Sequence, residues 1–245
     1  MTYCVGMLLQ AGLVMLADSR TNAGVDHVNT FRKLRVYVRP GERCLVLMSA
    51  GNLAITQAVA SILDEARRFD GDSPGLLDVP SMFEAARHVG DTLRSVYKRD
   101  ADALAAFGID FNANLILGGQ IAGEPPRLFS IYAAGNFIEA TCETPYFQIG
   151  ELKYGKPILD RVLRWDTPLD EAVKCALISM DSTIRSNLSV GLPLDLAIVE
   201  RDALALRSHH LIDADNPYFA MVRARWGDAL RVAFDAIPNP DGAFD

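Results

Sequence analysis

The apolar residues at the start of the chain form two nearly continuous runs, Tyr3–Leu9 and Leu13–Ala17. Apolar runs of this length on either side of a small turn predict a β-hairpin, with Ala11-Gly12 supplying the turn. Further along, Leu34–Val38 alternates between apolar and polar residues, and Arg43–Met48 is apolar almost throughout. The first pattern is typical of a half-buried strand and the second of a strand buried on both faces.

After Asn52 the apolar residues recur every three or four positions, which is the period of an α-helix. This period predicts one helix from Leu53 to Ala66 and a second that begins where Ser81 and Glu84 match a capping box. The other predictions are polar loops at residues 21–26 and 71–80, strands at 114–119, 127–132, 136–139 and 146–149, helices from 156 and from the N-cap at 167, strands at 194–200 and 203–206, and a last helix from 216.

The order of these elements is four strands, two helices, four strands, two helices, two strands and one helix. Runs of strands that alternate with pairs of helices indicate two sheets stacked between helix layers, not a parallel βαβ sheet. We therefore expect an α/β fold, a four-layer αββα sandwich. No linker divides the chain, so residues 1–245 are expected to form a single domain with a mobile tail at 238–245. The last helix is expected to bury Val222, Trp226, Leu230 and Phe234.

Composition narrows the functional classes. The 245 residues are 50% hydrophobic, carry a net charge of −7 and have a mean hydropathy of +0.12. A nucleic-acid partner would need clustered Lys and Arg, which this charge argues against. No apolar run approaches the roughly 20 residues that span a bilayer, so we expect a soluble, cytoplasmic protein with no membrane partner. The cysteines are interpreted as reduced, buried thiols; they are Cys4, Cys44, Cys142 and Cys175.

No motif indicates a metal or a cofactor. The chain lacks CxxC and HExxH, so a zinc site and a metalloprotease have no sequence support. Its single GxSxG string, at residues 71–75, falls in a predicted loop and not at the strand-to-helix turn that a serine hydrolase uses, so a serine hydrolase lacks its usual sequence support as well. His209-His210 lies near Asp213 and Asp215 and could bind a metal, but a solvated polar turn is the preferred interpretation. We therefore expect neither a metal nor a cofactor.

Thr2 stands directly before the first predicted strand. Methionine aminopeptidases generally remove Met1 when the next residue is as small as threonine, which leaves an α-amine and a hydroxyl on one residue. A threonine hydroxyl needs a neighbouring base to act as a nucleophile, and an α-amine, with an ordinary pKa of roughly 7.7–8.0, can be that base. Taken alone, Thr2 is also an ordinary first residue of a strand, because β-branched residues favour strands.

Further residues place Thr2 in a pattern. Asp18 closes the hairpin within Ala17–Arg20, Lys33 opens the third predicted strand, and Ser49-Ala50-Gly51 follows the fourth. This pattern resembles that of proteasome β-subunits and, within them, Anbu, the bacterial ancestral-β-subunit family, through the segments TYCVG, ADSRTNAGVDH and FRK. The resemblance implies a proteasome-type N-terminal-nucleophile hydrolase that cleaves a peptide or another amide through a threonine acyl-enzyme.

The resemblance implies a catalytic set of Thr2, Asp18 and Lys33. Thr2 Oγ would attack the carbonyl carbon, and the Thr2 amine would relay the proton. Lys33 would supply a positive field, and Asp18 would pair with it, because an unpaired buried ammonium tends to lose its proton. Without Thr2, this aspartate and lysine would be interpreted as an ion pair at strand ends. Backbone amides around Met48 and Ser49 are expected to form the oxyanion hole, although proteasome subunits have a glycine there.

The residues expected to support this set depart from the family pattern. Proteasome subunits carry an aspartate and a serine on one turn; here Ser186 takes the place of the aspartate and Ser189 is retained. Where the family has a serine after a glycine, Glu151 follows Gly150. Its carboxylate either supports the protonated Thr2 amine or caps the next helix. Ser19, next to the aspartate of the catalytic set, is the remaining supporting residue.

Two alternatives to a peptidase remain at this point. One is a non-catalytic, self-assembling scaffold subunit of the same fold, which the retention of all three catalytic residues disfavours. The other is a small-molecule amidase of the N-terminal-nucleophile superfamily, which would differ in its pocket. The candidate pocket walls are Thr21, Phe31, Val46 and Leu53. The resemblance also implies a homo-oligomer, either a ring or an open spiral, in which other subunits cover the apolar helices at 53–69 and 82–104. It identifies neither the natural substrate nor an ATPase partner.

Overall fold

Two five-stranded antiparallel sheets pack face to face in the computed structural model, which describes residues 2–22, 28–65 and 75–240. The strands, in chain order, are β1 (Tyr3–Leu9), β2 (Gly12–Asp18), β3 (Arg20–Asn22), β4 (Val28–Thr30), β5 (Leu34–Arg39), β6 (Arg43–Gly51), β7 (Ala113–Ile121), β8 (Arg127–Ile131), β9 (Phe137–Glu139), β10 (Tyr146–Gly150), β11 (Leu194–Glu200) and β12 (Leu206–Ile212). The first sheet has the order β10-β1-β2-β11-β12 and the second β5-β6-β7-β8-β9, while β3 and β4 form a separate ribbon.

Helices cover the outer faces of both sheets. They are α1 (Leu53–Glu65), α2 (Met82–Ala106), α3 (Lys156–Val162), α4 (Leu169–Ser186) and α5 (Pro217–Asp235). Apolar side chains of α1 and α2 pack on the second sheet, and those of α3, α4 and the start of α5 pack on the first. A third apolar core lies between the sheets, so the predicted αββα sandwich is confirmed. Within the described residues, no helix has the length and apolar character needed to cross a bilayer.

The central strands β1 and β2 explain why the sequence opens with apolar runs. Every residue of both strands is buried. Side chains of a strand alternate between its two faces, so Tyr3 and Val5 face the helices whereas Cys4 and Leu8 face the second sheet. Because both faces are covered, successive positions must be apolar, and the pattern is a run instead of an alternation.

Several element boundaries differ from the predictions. The predicted loop at 21–26 is partly paired, because β3 and β4 flank residues 23–27, which lie outside the described residues. β6 continues to Gly51 because β7 pairs with it along its whole length. Helix α4 starts at Leu169 after Pro168, since the Thr167 hydroxyl instead accepts the N–H of Arg164. β12 begins where the strand predicted at 203–206 ends. The predicted loop at 71–80 is described only from residue 75.

Helix α5 departs most from the expected packing. Val222 is buried as predicted, but Trp226 is only partly buried, and Leu230 and Phe234 are 52% and 76% exposed. The prediction that these last three residues are buried is therefore wrong. The helical period locates the apolar side of a helix, but it carries no information about what covers that side. Of the predicted tail, residues 241–245 lie outside the described residues.

The cysteines follow the prediction with one exception. Cys4, Cys44 and Cys175 are buried, but Cys142 is exposed in the connection between β9 and β10, so it is not the buried thiol that was expected. Burial raises the pKa of Cys44 to about 12 and that of Cys175 to about 11. These two thiols are therefore uncharged and unreactive at neutral pH.

Candidate active site

Thr2 is held by the end of β10. Its carbonyl oxygen accepts a hydrogen bond from the N–H of Glu151 at 2.7 Å. Gly150 has a φ of +88°, and a Cβ at that position would lie 1.9 Å from the Thr2 carbonyl oxygen, so only glycine permits this approach. Tyr3 pairs with Gly150 across the β1–β10 ladder. The backbone of Thr2 is thus held against the end of β10.

Asp18, the last residue of β2, forms a buried ion pair with Lys33. Lys33 Nζ lies 2.7 Å from Asp18 Oδ1 and 2.6 Å from the carbonyl oxygen of Arg20. Asp18 also accepts hydrogen bonds from the N–H groups of Tyr3 and Gly191 at 3.0 and 3.3 Å. Burial raises the pKa of the Asp18 carboxyl, whereas Lys33 and the two N–H groups act to lower it. These contacts fix the ion pair against the start of β1.

A cleft of about 410 Å³ lies between α1 and the ends of β5 and β6. Its walls include Thr2, Lys33, Gly51 and Gly150, and Asp18 adjoins it through its contact with Lys33. The structure therefore brings together the three residues predicted as the catalytic set. A hydroxyl and a fixed ammonium on the wall of one cleft are suited to nucleophilic attack on a carbonyl group.

The predicted oxyanion donors are not available. The N–H of Ser49 donates to the carbonyl oxygen of Lys33 at 3.0 Å, so the prediction for Ser49 is wrong. Successive N–H groups of a strand point to opposite sides, which directs the N–H of Met48 toward its β7 partner Ile116. The Met48 side chain is buried between the sheets, so the prediction is wrong for this residue as well. Sequence spacing could not reveal the directions of these two N–H groups, because the register of the strands decides which backbone groups form hydrogen bonds across the sheet.

Gly51 is the better candidate for the oxyanion donor. The N–H of Asn52 donates to Asn112 on the β7 side at 2.7 Å, so the alternation turns the Gly51 N–H toward the β5 side. There the β5–β6 pairing ends, and Gly51 lines the cleft together with Thr2. Gly51 also has a φ of +118°, which favours glycine. In the sequence, Gly51 could have been noticed as the glycine in the break between the fourth predicted strand and the first predicted helix.

Glu151 is buried beside Thr2, and its carboxylate is occupied on both oxygens. Oε1 accepts the N–H of Lys153 at 3.1 Å, and Oε2 accepts from Asn187 Nδ2 at 2.9 Å. The next helix, α3, has Gly155 as its N-cap and no side-chain cap, so the interpretation of Glu151 as a helix cap is wrong. Its carboxylate instead joins the turn after β10 to the turn after α4.

Of the other predicted supporting residues, Ser189 lies near the hydrogen bonds of the Glu151 carboxylate, whereas Ser186 and Ser19 take no part in them. Asn187, which the sequence analysis missed, accepts the N–H of Ser189 on its side-chain oxygen at 3.0 Å. Ser186 is exposed at the end of α4, and its hydroxyl has no hydrogen-bond partner among the described residues. Ser19 is buried, and its hydroxyl likewise finds no partner in the part of the chain described. The position after Ser186, not Ser186 itself, therefore contacts Glu151.

The cleft walls agree only partly with the predicted pocket. Thr21 and Leu53 line the cleft, whereas Val46 is buried between the sheets and Phe31 is not part of the lining. The prediction is therefore wrong for Val46. The strand alternation of β6 would have assigned it correctly, because even-numbered residues of this strand face the first sheet. The polar wall residues that the sequence analysis missed are Arg32, Arg35, Thr56, Gln57, Asn112 and Asn114.

The histidine pair near the C-terminus does not form a metal site in the described residues, where no group of three or more metal-ligating side chains occurs. His209 Nε2 lies 2.6 Å from Asp195 Oδ1, so this histidine is engaged with a buried aspartate of the neighbouring strand. The two histidines lie within β12, not in a turn, which corrects the preferred interpretation.

Two stacked sheets between helix layers, with Thr2, Lys33 and Asp18 around one cleft, are the features of a proteasome β-subunit type of protein. Among curated proteins, "Proteasome subunit beta 2" of Nitrosopumilus maritimus is 26% identical over 210 residues, which covers 84% of this chain and 89% of that protein. No protein-family model matches the sequence.

Solved structures narrow the class. Anbu (ancestral beta-subunit) from Yersinia bercovieri is 57% identical with a TM-score of 0.90, covering 97% of this chain and 98% of its own. The helical assembly of the Anbu complex from Pseudomonas aeruginosa is 51% identical with a TM-score of 0.93, covering 99% and 100%. This chain belongs to the Anbu family.

Proposed function

We propose that this chain is an N-terminal threonine hydrolase that cleaves peptides or another amide once Met1 has been removed. Its family and fold support a proteasome-like peptidase. The observation that carries the threonine mechanism is the position of the Asp18 carboxylate, which accepts both Lys33 Nζ and the N–H of Tyr3. A buried cation is thereby tied to the residue next to Thr2. A scaffold subunit would have no need of this ion pair together with Thr2.

The proposed reaction begins with attack of Thr2 Oγ on the substrate carbonyl carbon, while the neutral Thr2 amine accepts the hydroxyl proton. The Gly51 N–H stabilises the oxygen that becomes negative, and Lys33 supplies a positive field. Collapse of the intermediate breaks the carbon–nitrogen bond, and the ammonium of Thr2 protonates the departing amine. Water, deprotonated by the same amine, then hydrolyses the ester and restores the threonine.

Glu151 has a positioning role in this proposal. Its N–H holds the Thr2 carbonyl oxygen, and its buried carboxylate adds a negative charge on the β10 side of the site. A negative charge near the amine favours the protonated form, and the Lys33 ammonium on the other side opposes it. The two groups therefore act on the amine pKa in opposite directions.

The proposal predicts how turnover depends on pH. The amine acts as a base only when it is neutral, so kcat/KM should rise with pH through an apparent pKa near roughly 7.7–8.0, displaced by its neighbours. Lys33 displaces this value downward and Glu151 displaces it upward. Glu151→Gln should therefore move the midpoint to lower pH, which peptide hydrolysis measured at a series of pH values would detect. A rate that is constant through this range would contradict the amine as the base.

We also propose that the chain self-associates, as the Anbu complex from Pseudomonas aeruginosa does in its helical assembly. The apolar faces of α1 and α2, which were expected to need another subunit, are covered by the second sheet. One exposed group of apolar side chains lies at the end of α5. Its residues are Leu230, Val232, Phe234 and Ile237, which are 52% to 76% exposed.

Assembly can be tested at this surface. Light scattering at micromolar concentration should report a mass well above the 26.8 kDa of one chain. Leu230→Ser with Phe234→Ser should shift the population to smaller species, because burial of each side chain contributes roughly 1.5–3 kcal/mol to an interface. Phe107→Ser is the matched control, since Phe107 is 82% exposed at the end of α2. A wild-type protein that remains a monomer would refute the proposal.

A further inference from the structure

The cleft beside Thr2 carries a concentration of positive charge. Three cationic side chains line it, those of Arg32, Lys33 and Arg35. Among the described residues, no aspartate or glutamate is part of this lining. The chain as a whole has a net charge of −7, so the sign of the cleft is opposite to that of the protein. A cleft of one sign attracts substrates of the other sign.

The three cations differ in how far their charge is offset. Lys33 is paired with Asp18, and Arg35 Nη1 lies 2.5 Å from Asp64 Oδ2 on α1. Asp64 also accepts the Tyr37 hydroxyl at 3.0 Å, so its carboxylate is shared. Arg32 is exposed and has neither an ion-pair nor a hydrogen-bond partner in the part of the chain that the structure describes. Within the described residues, one full positive charge at the cleft therefore lacks a partner.

The cations are placed where the side chain of a bound residue would reach. Residues i and i+2 of a strand point to the same face and lie about 7 Å apart, so Arg35 follows Lys33 along the cleft wall on β5. Leu53, Thr56, Gln57 and Ala60, on one face of α1, form the opposite wall. An acidic side chain next to the carbonyl that Thr2 attacks would extend between these walls toward the guanidinium groups.

We propose that this cleft selects substrates with a carboxylate on the residue that supplies the attacked carbonyl, a glutamate or an aspartate in a peptide. Arg35 binds the carboxylate within the cleft, and Arg32 attracts it at the exposed side. The side-chain amides of Gln57 and Asn114 add neutral donors. The apolar side chains of the lining are those of Ala50, Leu53 and Ala60, and of these only Leu53 is large. The inference rests on the threonine mechanism proposed above.

The test uses four peptide epoxyketones that are identical except at the residue next to the warhead, which is Glu, Gln, Leu or Lys. The rate of adduct formation with the processed protein is measured by intact mass. The Glu peptide should react about tenfold faster than the isosteric Gln peptide, the size expected for ionic contacts near water, and the Lys peptide slowest. Raising the ionic strength should reduce the difference between Glu and Gln.

Variants assign the selectivity to the two arginines. The Glu-to-Gln ratio of rates should fall toward one in Arg32→Gln and in Arg35→Gln, while Arg35→Lys should keep part of it. Arg32→Glu should turn the preference toward the Lys peptide. Arg39→Gln is the matched control, because Arg39 ends the same strand outside the cleft and pairs with Glu42 and Asp78. Its ratio should match the wild type.

The outcomes separate the two proposals. Reaction of the Leu or Gln peptide as fast as the Glu peptide would overturn the carboxylate selectivity and leave the threonine mechanism intact. An equal loss of the ratio in Arg39→Gln would also overturn it, since a general field would then account for the effect. Failure of all four peptides to form an adduct would overturn the threonine mechanism, and the selectivity with it.

Discussion

Thr2→Ala is expected to remove acyl-enzyme formation and to lower peptide hydrolysis by roughly 10⁴-fold or more. The change deletes the attacking oxygen and leaves the α-amine in place. The fold should persist, because the neighbouring contact, from the Glu151 N–H to the carbonyl oxygen of residue 2, is a backbone contact. Hydrolysis of a fluorogenic peptide, with thermal unfolding as the measure of folding, checks this result.

Thr2→Ser is the matched control for the nucleophile. Serine keeps both the hydroxyl and the amine and loses only a methyl group, so part of the activity should remain. Equal activity in Thr2→Ala and the wild type would show that another group performs the attack. Equal inactivity in Thr2→Ser and Thr2→Ala would show that the methyl group, and hence packing, controls the rate.

Lys33→Ala is expected to lower turnover on the order of 10²- to 10⁴-fold, because the positive field beside the hydroxyl is lost. It should also destabilise the fold. Removing one partner of a buried ion pair costs about 3–5 kcal/mol, and the N–H groups of Tyr3 and Gly191 that remain on Asp18 should offset part of this. Denaturant unfolding and peptide hydrolysis measure the two effects separately.

A double variant separates catalysis from folding at this pair. Asp18→Asn with Lys33→Met leaves no buried charge unpaired, so its stability should recover toward that of the wild type. Its activity should stay as low as that of Lys33→Ala. Recovery of activity together with stability would mean that the ion pair is only structural.

The sequence predicts the parts of the fold in which both faces of an element are covered. β1 and β2 were located from their apolar runs, and the two helix layers from their period, because burial requires apolar side chains at those positions. The β3–β4 ribbon and most of β12 were missed. β12 is largely exposed and carries polar residues such as Arg207 and His210, and β3 is polar at every position, so neither strand leaves an apolar signature. Hydrophobic patterning thus reports burial and not strand pairing.

The candidate site was predictable to the extent that side chains alone define it. Thr2, Asp18 and Lys33 carry chemistry that a sequence displays, and the structure places them around one cleft. An oxyanion donor is a backbone group whose direction depends on strand register, so spacing alone pointed to Met48 and Ser49, whereas the ladder leaves Gly51 as the candidate. Asn187 was missed for a similar reason, because the end of α4 decides which residue of the turn faces Glu151.

The central claim is that the hydroxyl and the free amine of Thr2 act together. The most direct measurement is intact mass after treatment with a peptide epoxyketone, on the processed protein and on protein that retains Met1 through inhibition of methionine aminopeptidase. The account predicts one adduct on the processed chain, mapped to a peptide that begins at Thr2, and none on the chain that retains Met1. Full labelling of the Met1-retaining chain would contradict it.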